Sequence, residues 1–266
     1  MIDLHSHLLP GVDDGAPDIE RAVDLARAAA EQGTRVLAAT PHLRADFPDV
    51  HPEELASRCD ETRAAIAEAG VELEVVQGGE AGVMWAVNAG DDDLRAGSYG
   101  GRGTDLLVET PYGPLNDTFE QLLFTLPERG YRLLLAHPEN NPTFQRTPER
   151  LHELVERGVL LQVTARSLIR SERKKGPRPL AESLVRDGFA HVLASDAHSG
   201  HRLRPPALGA GAAAAGELVG EKRAKWLVED APAAILAGKP LPEPPPLDAA
   251  RRPSARRGLL ARLRGG

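Results

Sequence analysis

Glu128-Arg-Gly-Tyr-Arg-Leu-Leu-Leu-Ala-His-Pro-Glu139 holds one complete architectural unit. A helix-compatible stretch stops at Glu-Arg-Gly, where Gly130 offers the left-handed turn that closes a helix. An apolar run follows and ends in a histidine and an acid. The same helix stop followed by an apolar run recurs at Glu156-Arg-Gly-Val-Leu-Leu-Gln-Val-Thr164, without the histidine and acid. A short run that is apolar at every position suits a parallel strand covered on both faces. Working outward, seven runs of this kind are predicted strands: Ile2–Leu4, Arg35–Thr40, Leu73–Gln77, Asp105–Glu109, Arg132–Ala136, Val159–Thr164 and His191–Ser195. The segments between them have helical spacing. From about Asp18 to Gln32, Ile19, Ala22, Val23, Ala26 and Ala30 line one face, with Asp18 as N-cap and Gly33 as stop. Pro52–Ala69, Thr118–Glu128 and Pro148–Glu156 read in the same way. Strands alternating with helices imply a mainly parallel α/β fold, and seven units in roughly 200 residues suit a (β/α)7 barrel better than an open doubly wound sheet.

After the seventh strand come helical stretches at Pro206–Val219, Lys222–Val228 and Pro232–Leu236. From Lys239 the composition changes, with Pro240, Pro242, Pro244, Pro245 and Pro246 in close succession. The expected organisation is one domain over residues 1–239 and a disordered Pro/Arg-rich tail over 240–266. In that tail Leu259, Leu260 and Leu263 lie among Arg256, Arg257, Arg262 and Arg264, a pattern that suits weak contact with an anionic membrane surface.

The chain has 266 residues, 41% hydrophobic and 27% charged, with a net charge of −7. The tail carries +4 and residues 1–239 carry −11, so the body is a poor electrostatic partner for nucleic acid. The lone cysteine, Cys59, excludes an internal disulfide and a cysteine-based zinc finger. The opening Met-Ile-Asp-Leu-His lacks the pattern of a signal peptide, and a cytoplasmic location is expected.

Ionisable residues recur just after the predicted strands. They are Asp3-Leu-His5-Ser-His7 with Asp13-Asp14-Gly15, Thr40-Pro-His42, Gly78-Gly-Glu80, Glu109-Thr-Pro, His137-Pro-Glu139 and Ser195-Asp196-Ala-His198. In a parallel barrel these ends meet on one rim, where such folds hold their active sites. One acid at a strand end usually caps the next helix, and a lone His-x-His is common on surfaces. The combination is more informative: five of the nine histidines follow four of the seven strands. His5, His7, Asp14, His42, Glu80, Glu109, His137, Asp196 and His198 offer more donors than one cation can use. Imidazole mixed with carboxylate suits Zn²⁺, Mn²⁺ or Fe²⁺. Two or three ions and hydrolytic chemistry are expected.

These same segments, above all Asp3–Gly15, resemble the PHP superfamily, the polymerase and histidinol phosphatase group of metallo-phosphoesterases. Within it the chain looks most like the protein-tyrosine phosphatases of bacterial capsule and exopolysaccharide loci. The resemblance covers about residues 1–230. It implies a distorted (β/α)7 barrel, a trinuclear manganese site and hydrolysis of phosphotyrosine on a bacterial tyrosine kinase. It places His5, His7, Glu80 and Asp196 on one ion. Glu80, Glu109, His42 and His137 share the remainder, with Asp14 and His198 on a third. His198 or Asp196 is then the group that manages a proton at the leaving oxygen.

One position departs from that pattern. The tyrosine phosphatase branch carries an arginine after His-Pro-Glu, and here Asn140 stands there, followed by Asn141. Asparagine cannot form a charge-assisted fork with phosphate. Arg44, Arg166, Arg202 and Arg204 are candidates to replace it, and Arg204, in Arg-Pro-Pro, best matches a second arginine of the branch. The alternatives to a tyrosine phosphatase are a phosphatase of small metabolites, such as histidinol phosphate or a nucleotide, and a metal-binding regulatory protein with little turnover.

Overall fold

The computed structural model describes residues 1–247 except 112, 117, 170–175 and 202–203. Nine strands are present among them: β1 (Ile2–Asp3), β2 (Val36–Ala39), β3 (His42–Leu43), β4 (Glu74–Gln77), β5 (Glu80–Gly82), β6 (Asp105–Glu109), β7 (Arg132–Ala136), β8 (Leu160–Thr164) and β9 (Val192–Ala194). Every pairing between them is parallel. They form a three-stranded sheet, β1-β2-β4, and a six-stranded sheet, β3-β5-β6-β7-β8-β9.

The seven predicted runs each contain a strand, and the structure adds two. Pro41 has no N–H to give a ladder, so the second run breaks after Ala39 and resumes as β3. Gly78-Gly79 breaks the third run, which resumes as β5. At both breaks the chain passes from the smaller sheet to the larger one, and Glu80 N donates to Pro41 O at 2.9 Å. The expected closed barrel is therefore not one unbroken ladder among the described residues. The first and last units touch beyond their strands instead. Ser6 and Ala197 form a parallel bridge, Asp196 N donates to His5 O at 2.9 Å, and His7 N donates to Ala197 O at 2.8 Å.

Alternation along the central strands decides what lies on each face. Leu106 and Val108, Leu133 and Leu135, and Leu161 and Val163 belong to the large core under the helices. Leu107, Leu134, Ala136, Leu160, Val192 and Ala194 belong to a second core with Leu4 and Tyr99. Two residues farther along three of these inner rows stand Glu109, Gln162 and Asp196. A strand period of two thus carries each inner row from apolar to polar at its C-terminal end.

The helical layer follows the predicted stops. Asp18 caps the helix Ile19–Glu31 by accepting from Arg21 N at 2.8 Å. Gly130 and Gly158 sit at φ 92° and 93° directly after the C-caps Arg129 and Arg157. The predicted helix over 118–128 is split into Phe119–Leu123 and Thr125–Glu128. Pro127 accounts for the split, because it lacks the N–H that would bond to Leu123 O and its ring crowds that carbonyl.

The domain does not stop at Lys239. Trp226 Nε1 donates to Pro242 O at 3.1 Å, Arg223 Nη1 donates to Pro245 O at 3.1 Å, and Leu241 and Leu247 pack against the core. Prolines keep this stretch extended with free carbonyls, which is why it docks rather than continuing as a tail. The Leu/Arg pattern at 256–264 lies outside the described residues. No described helix is long and apolar enough to cross a membrane.

Tyr99, fully buried in the inner core, donates its hydroxyl to Leu4 O at 2.8 Å. Tyr99→Phe removes that donor and should lower the unfolding free energy by about 1–3 kcal/mol in urea titrations. An unchanged midpoint would show that the Leu4 carbonyl does not depend on Tyr99.

Candidate metal centre

The C-terminal ends of the strands bring all nine predicted residues together. Four overlapping groups place their donor atoms within 4.8 Å of one another: His7, Asp14, His42 and His198; His5, His7 and Asp196; His5, Glu80 and His137; and His42, Glu80 and Glu109. Three residues sit otherwise than the resemblance groups them. His42 joins Asp14 and His198 as well as the two glutamates, His7 faces both acids Asp14 and Asp196, and His137 sits with His5.

The centre of the cluster is Glu80 Oε2, 2.8 Å from His42 Nδ1, 3.4 Å from His5 Nε2 and 3.5 Å from His7 Nε2. Despite this crowding, His5 Nε2, His7 Nε2, His42 Nδ1, His198 Nε2 and Glu80 Oε2 are buried without a hydrogen-bond partner. Each such atom costs about 1–3 kcal/mol when left unsatisfied. Five converging on one space fit a shared cationic ligand, and the mixture of imidazole and carboxylate fits a divalent transition metal. Cys59 lies in the apolar core and takes no part.

The other side of the imidazoles is tied down. His7 Nδ1 donates to Asp13 Oδ2 at 2.6 Å, and Asp13 also accepts from Gly15 N at 2.9 Å and His42 N at 3.1 Å. His5 Nδ1 donates to Gln162 Oε1 at 3.0 Å. His198 Nδ1 donates to Asp196 O at 3.0 Å. These bonds fix the tautomer that leaves Nε2 facing the centre, as ligand histidines require. Position 15 must be glycine, since a Cβ there would lie 2.1 Å from His7 O. The three described non-glycine residues with positive φ are His137, Asp196 and Arg204, at 31°, 53° and 56°. All belong to the site, where strained backbone is held by the surrounding bonds.

The charges are strongly coupled. Burial works against the Glu80 carboxylate, but His5, the bond from His137 and the close approach of His42 hold its pKa well below the usual range. Asp196 and Asp14 are likewise held low against burial, by His5 and His7 and by His198 and His42 respectively. In return, against the effect of burial, His42 rises to about 9 beside the Asp14 and Glu80 carboxylates, and His137 to about 10 through its bond to Glu80. A divalent cation would compete with protons for these nitrogens, so its affinity would fall as pH falls.

Other polar residues take supporting or peripheral places. Asp3 is buried and accepts from Ser195 N at 2.9 Å, which holds the first and last units together. Glu139, although it follows His137-Pro, turns away and accepts from Thr164 N at 2.8 Å and Ser167 Oγ at 2.9 Å. Asn140 is exposed, whereas Asn141 caps the helix Pro142–Arg146 through Thr143 N. Arg204 reaches the cluster, with Nη2 2.6 Å from Asp14 Oδ2 and Nη1 3.9 Å from Asp196 Oδ2. Arg44 pairs with Glu109 and Asp46. Arg166 is exposed on a short helix, and Arg202 lies outside the described residues. The orienting roles of Asp13 and Gln162 escaped the sequence reading. A glutamine inside an apolar strand was the one available signal for Gln162.

Comparison with known proteins agrees with this geometry. Residues 1–237 match the family described as capsular polysaccharide synthesis, CpsB/CapC. The chain is 32% identical over 201 residues to the tyrosine-protein phosphatase YwqE of Bacillus subtilis, covering 75% of this chain and 78% of that one. It is 24% identical over 247 residues to the tyrosine-protein phosphatase CpsB of Streptococcus pneumoniae, covering 89% and 98%. Crystal structures of YwqE and CpsB, reported as metal-dependent tyrosine phosphatases, include a chain that matches with a TM-score of 0.79 at 28% identity, over 93% of this chain and 99% of the other.

Asp13→Asn should keep the fold and weaken divalent-metal binding about 10- to 100-fold, as loss of a carboxylate behind a ligand histidine does. Metal titration of the purified protein checks this, and wild-type affinity in the variant would show that Asp13 only shapes the loop.

Proposed function

The chain belongs to the CpsB/CapC family of capsular polysaccharide synthesis, and we propose that it is a metal-dependent tyrosine phosphatase using the nine-residue cluster. The observation that carries this reading is the set of five orphaned donor atoms facing one space. His5, His7, Asp14, His42, Glu80, Glu109, His137, Asp196 and His198 would hold two or three ions, with manganese as the proposed metal. Divalent ions held there supply Lewis acidity, which neutralises phosphoryl oxygens and makes water a competent nucleophile at neutral pH.

The remaining work falls to this chain's own side chains. Asp13 and Gln162 keep the His7 and His5 rings aimed. Arg204, at the exposed rim beside Asp14, meets the non-bridging oxygens of the phosphoryl group and takes the part of the arginine missing at Asn140. His198 and Asp196 are the two candidates to handle the proton at the leaving oxygen, and Asp196 is the freer of them. Both His198 nitrogens are engaged, Nδ1 with Asp196 O and Nε2 with the cluster, whereas Asp196 faces His5 and His7 with Oδ1 and keeps Oδ2 toward Arg204. A tyrosyl oxygen, a phenol of pKa about 10, makes a modest demand on that proton carrier. The substrate is read as phosphotyrosine on a bacterial tyrosine kinase of polysaccharide synthesis. The two parallel sheets and the Ser6–Ala197 bridge are read as a distorted (β/α)7 barrel.

Protein prepared with Mn²⁺ should bind at least two ions per chain and hydrolyse a phosphotyrosine peptide, and chelation should abolish turnover. His7→Ala should lower kcat/KM by about a thousandfold or more, since it removes a donor common to two of the four groups. Undiminished hydrolysis in chelator, or near-normal turnover in His7→Ala, would overturn the assignment.

A further inference from the structure

A pocket of about 420 Å³ opens beside the metal-ligand cluster, with Arg44, Gly82, Met84, Trp85, Glu109 and Pro111 among its walls. We propose that this pocket receives the aromatic ring of the substrate's phosphotyrosine and so selects aryl over alkyl phosphates. The proposal rests on the phosphatase reading above.

Three observations carry it. First, the pocket and the cluster share Glu109, whose carboxyl lies 3.9 Å from both His42 Nδ1 and His137 Nε2. A group bonded to a phosphate at the cluster therefore has this pocket as its neighbour. Secondly, Met84 is 55% exposed, one of only two large hydrophobic side chains left in solvent among the described residues. Methionine adapts its shape to an inserted ring and makes favourable sulfur–aromatic contacts. Trp85 and Pro111 add further apolar surface, and Trp85 adds a face for stacking. Thirdly, the volume is sufficient, because an apolar cavity of about 150 Å³ holds benzene. The rest accommodates backbone on either side of the tyrosine.

The polar end of the pocket is built to stay in place. Arg44 Nη1 bonds to Glu109, and its Nε and Nη2 fork onto Asp46 at 3.0 and 2.9 Å. Position 82 must be glycine for this, since a Cβ there would lie 2.7 Å from Arg44 Cγ. The Arg44 charge is thus met by two carboxylates and held against them, which leaves the apolar wall to meet the ring.

The test uses the full chain loaded with metal, benzylphosphonate as the ring-bearing probe and inorganic phosphate as the ring-free one. The second tryptophan, Trp226, is buried with its indole N–H on Pro242 O, so a fluorescence change on probe binding belongs to Trp85. Benzylphosphonate should change this fluorescence and inorganic phosphate should not. Met84→Asp, at an exposed position outside the cluster, should weaken benzylphosphonate about tenfold while moving inorganic phosphate less than about twofold. Trp85→Phe should lose the fluorescence signal, which assigns the signal to Trp85. Equal shifts for both probes in Met84→Asp, or none for either, would overturn the proposal. Because binding is read without turnover, ring-dependent binding in a protein that hydrolyses no phosphotyrosine would support the pocket and overturn the proposed reaction instead.

Discussion

Glu80 is a fully buried carboxylate, and much of the site is arranged around it. Its two oxygens lie within 3.5 Å of nitrogens from four histidines, His5, His7, His42 and His137. A carboxylate out of water is tolerable only with close positive charge or a full set of donors. His42 and His137, with pKa values raised to about 9 and about 10, supply part of that charge, and several donor atoms are left without partners. A divalent cation held by these residues would satisfy those nitrogens. A cation that binds only the folded chain would shift the folding equilibrium toward it.

The rest of the molecule keeps these charges apart from water and at fixed positions. Leu107, Leu134, Leu160 and Val192 fill the inner rows before the polar residues begin, so the cluster rests on a packed floor. The breaks at Pro41 and Gly78-Gly79 move the chain between sheets at the point where His42 and Glu80 become paired neighbours. The contact of the first unit with the last brings His5 and His7 against Asp196 and His198, nearly two hundred residues away in sequence. Asp3 serves that contact from a buried position, where burial raises its pKa and the bonds from Ser195 and His5 restrain the rise. The fold can be read as a device for giving distant strand ends one shared volume.

Much of this was legible because it depends on local chemistry. Short, mostly apolar runs bounded by turn residues suited buried strands, and Glu-Arg-Gly twice marked a helix end that the structure reproduces with positive φ. The nine cluster residues were visible because histidines gathered after strands rather than being scattered. What was not legible depends on distance in space. Asp13 reads as a turn residue until His7 is seen folded over it. Glu139, in the same motif as His137, gives no sign in sequence that it turns to Thr164 and Ser167. The split of two strands at Pro41 and Gly78-Gly79 was hidden because a broken strand and a strand followed by a loop have the same local pattern. The docking of Pro242 and Pro245 was hidden because their partners, Trp226 and Arg223, bind carbonyls, which every sequence has.

The central claim is that these donors converge on cations. Crystals grown with Mn²⁺ and measured at the manganese absorption edge test it without recourse to activity. The account predicts at least two anomalous peaks inside the cluster, one of them in contact with Glu80, with the Nε2 atoms of His5, His7 and His198 directed at peaks. Anomalous density only at the protein surface, with Glu80 still bonded to the histidines alone, would contradict it.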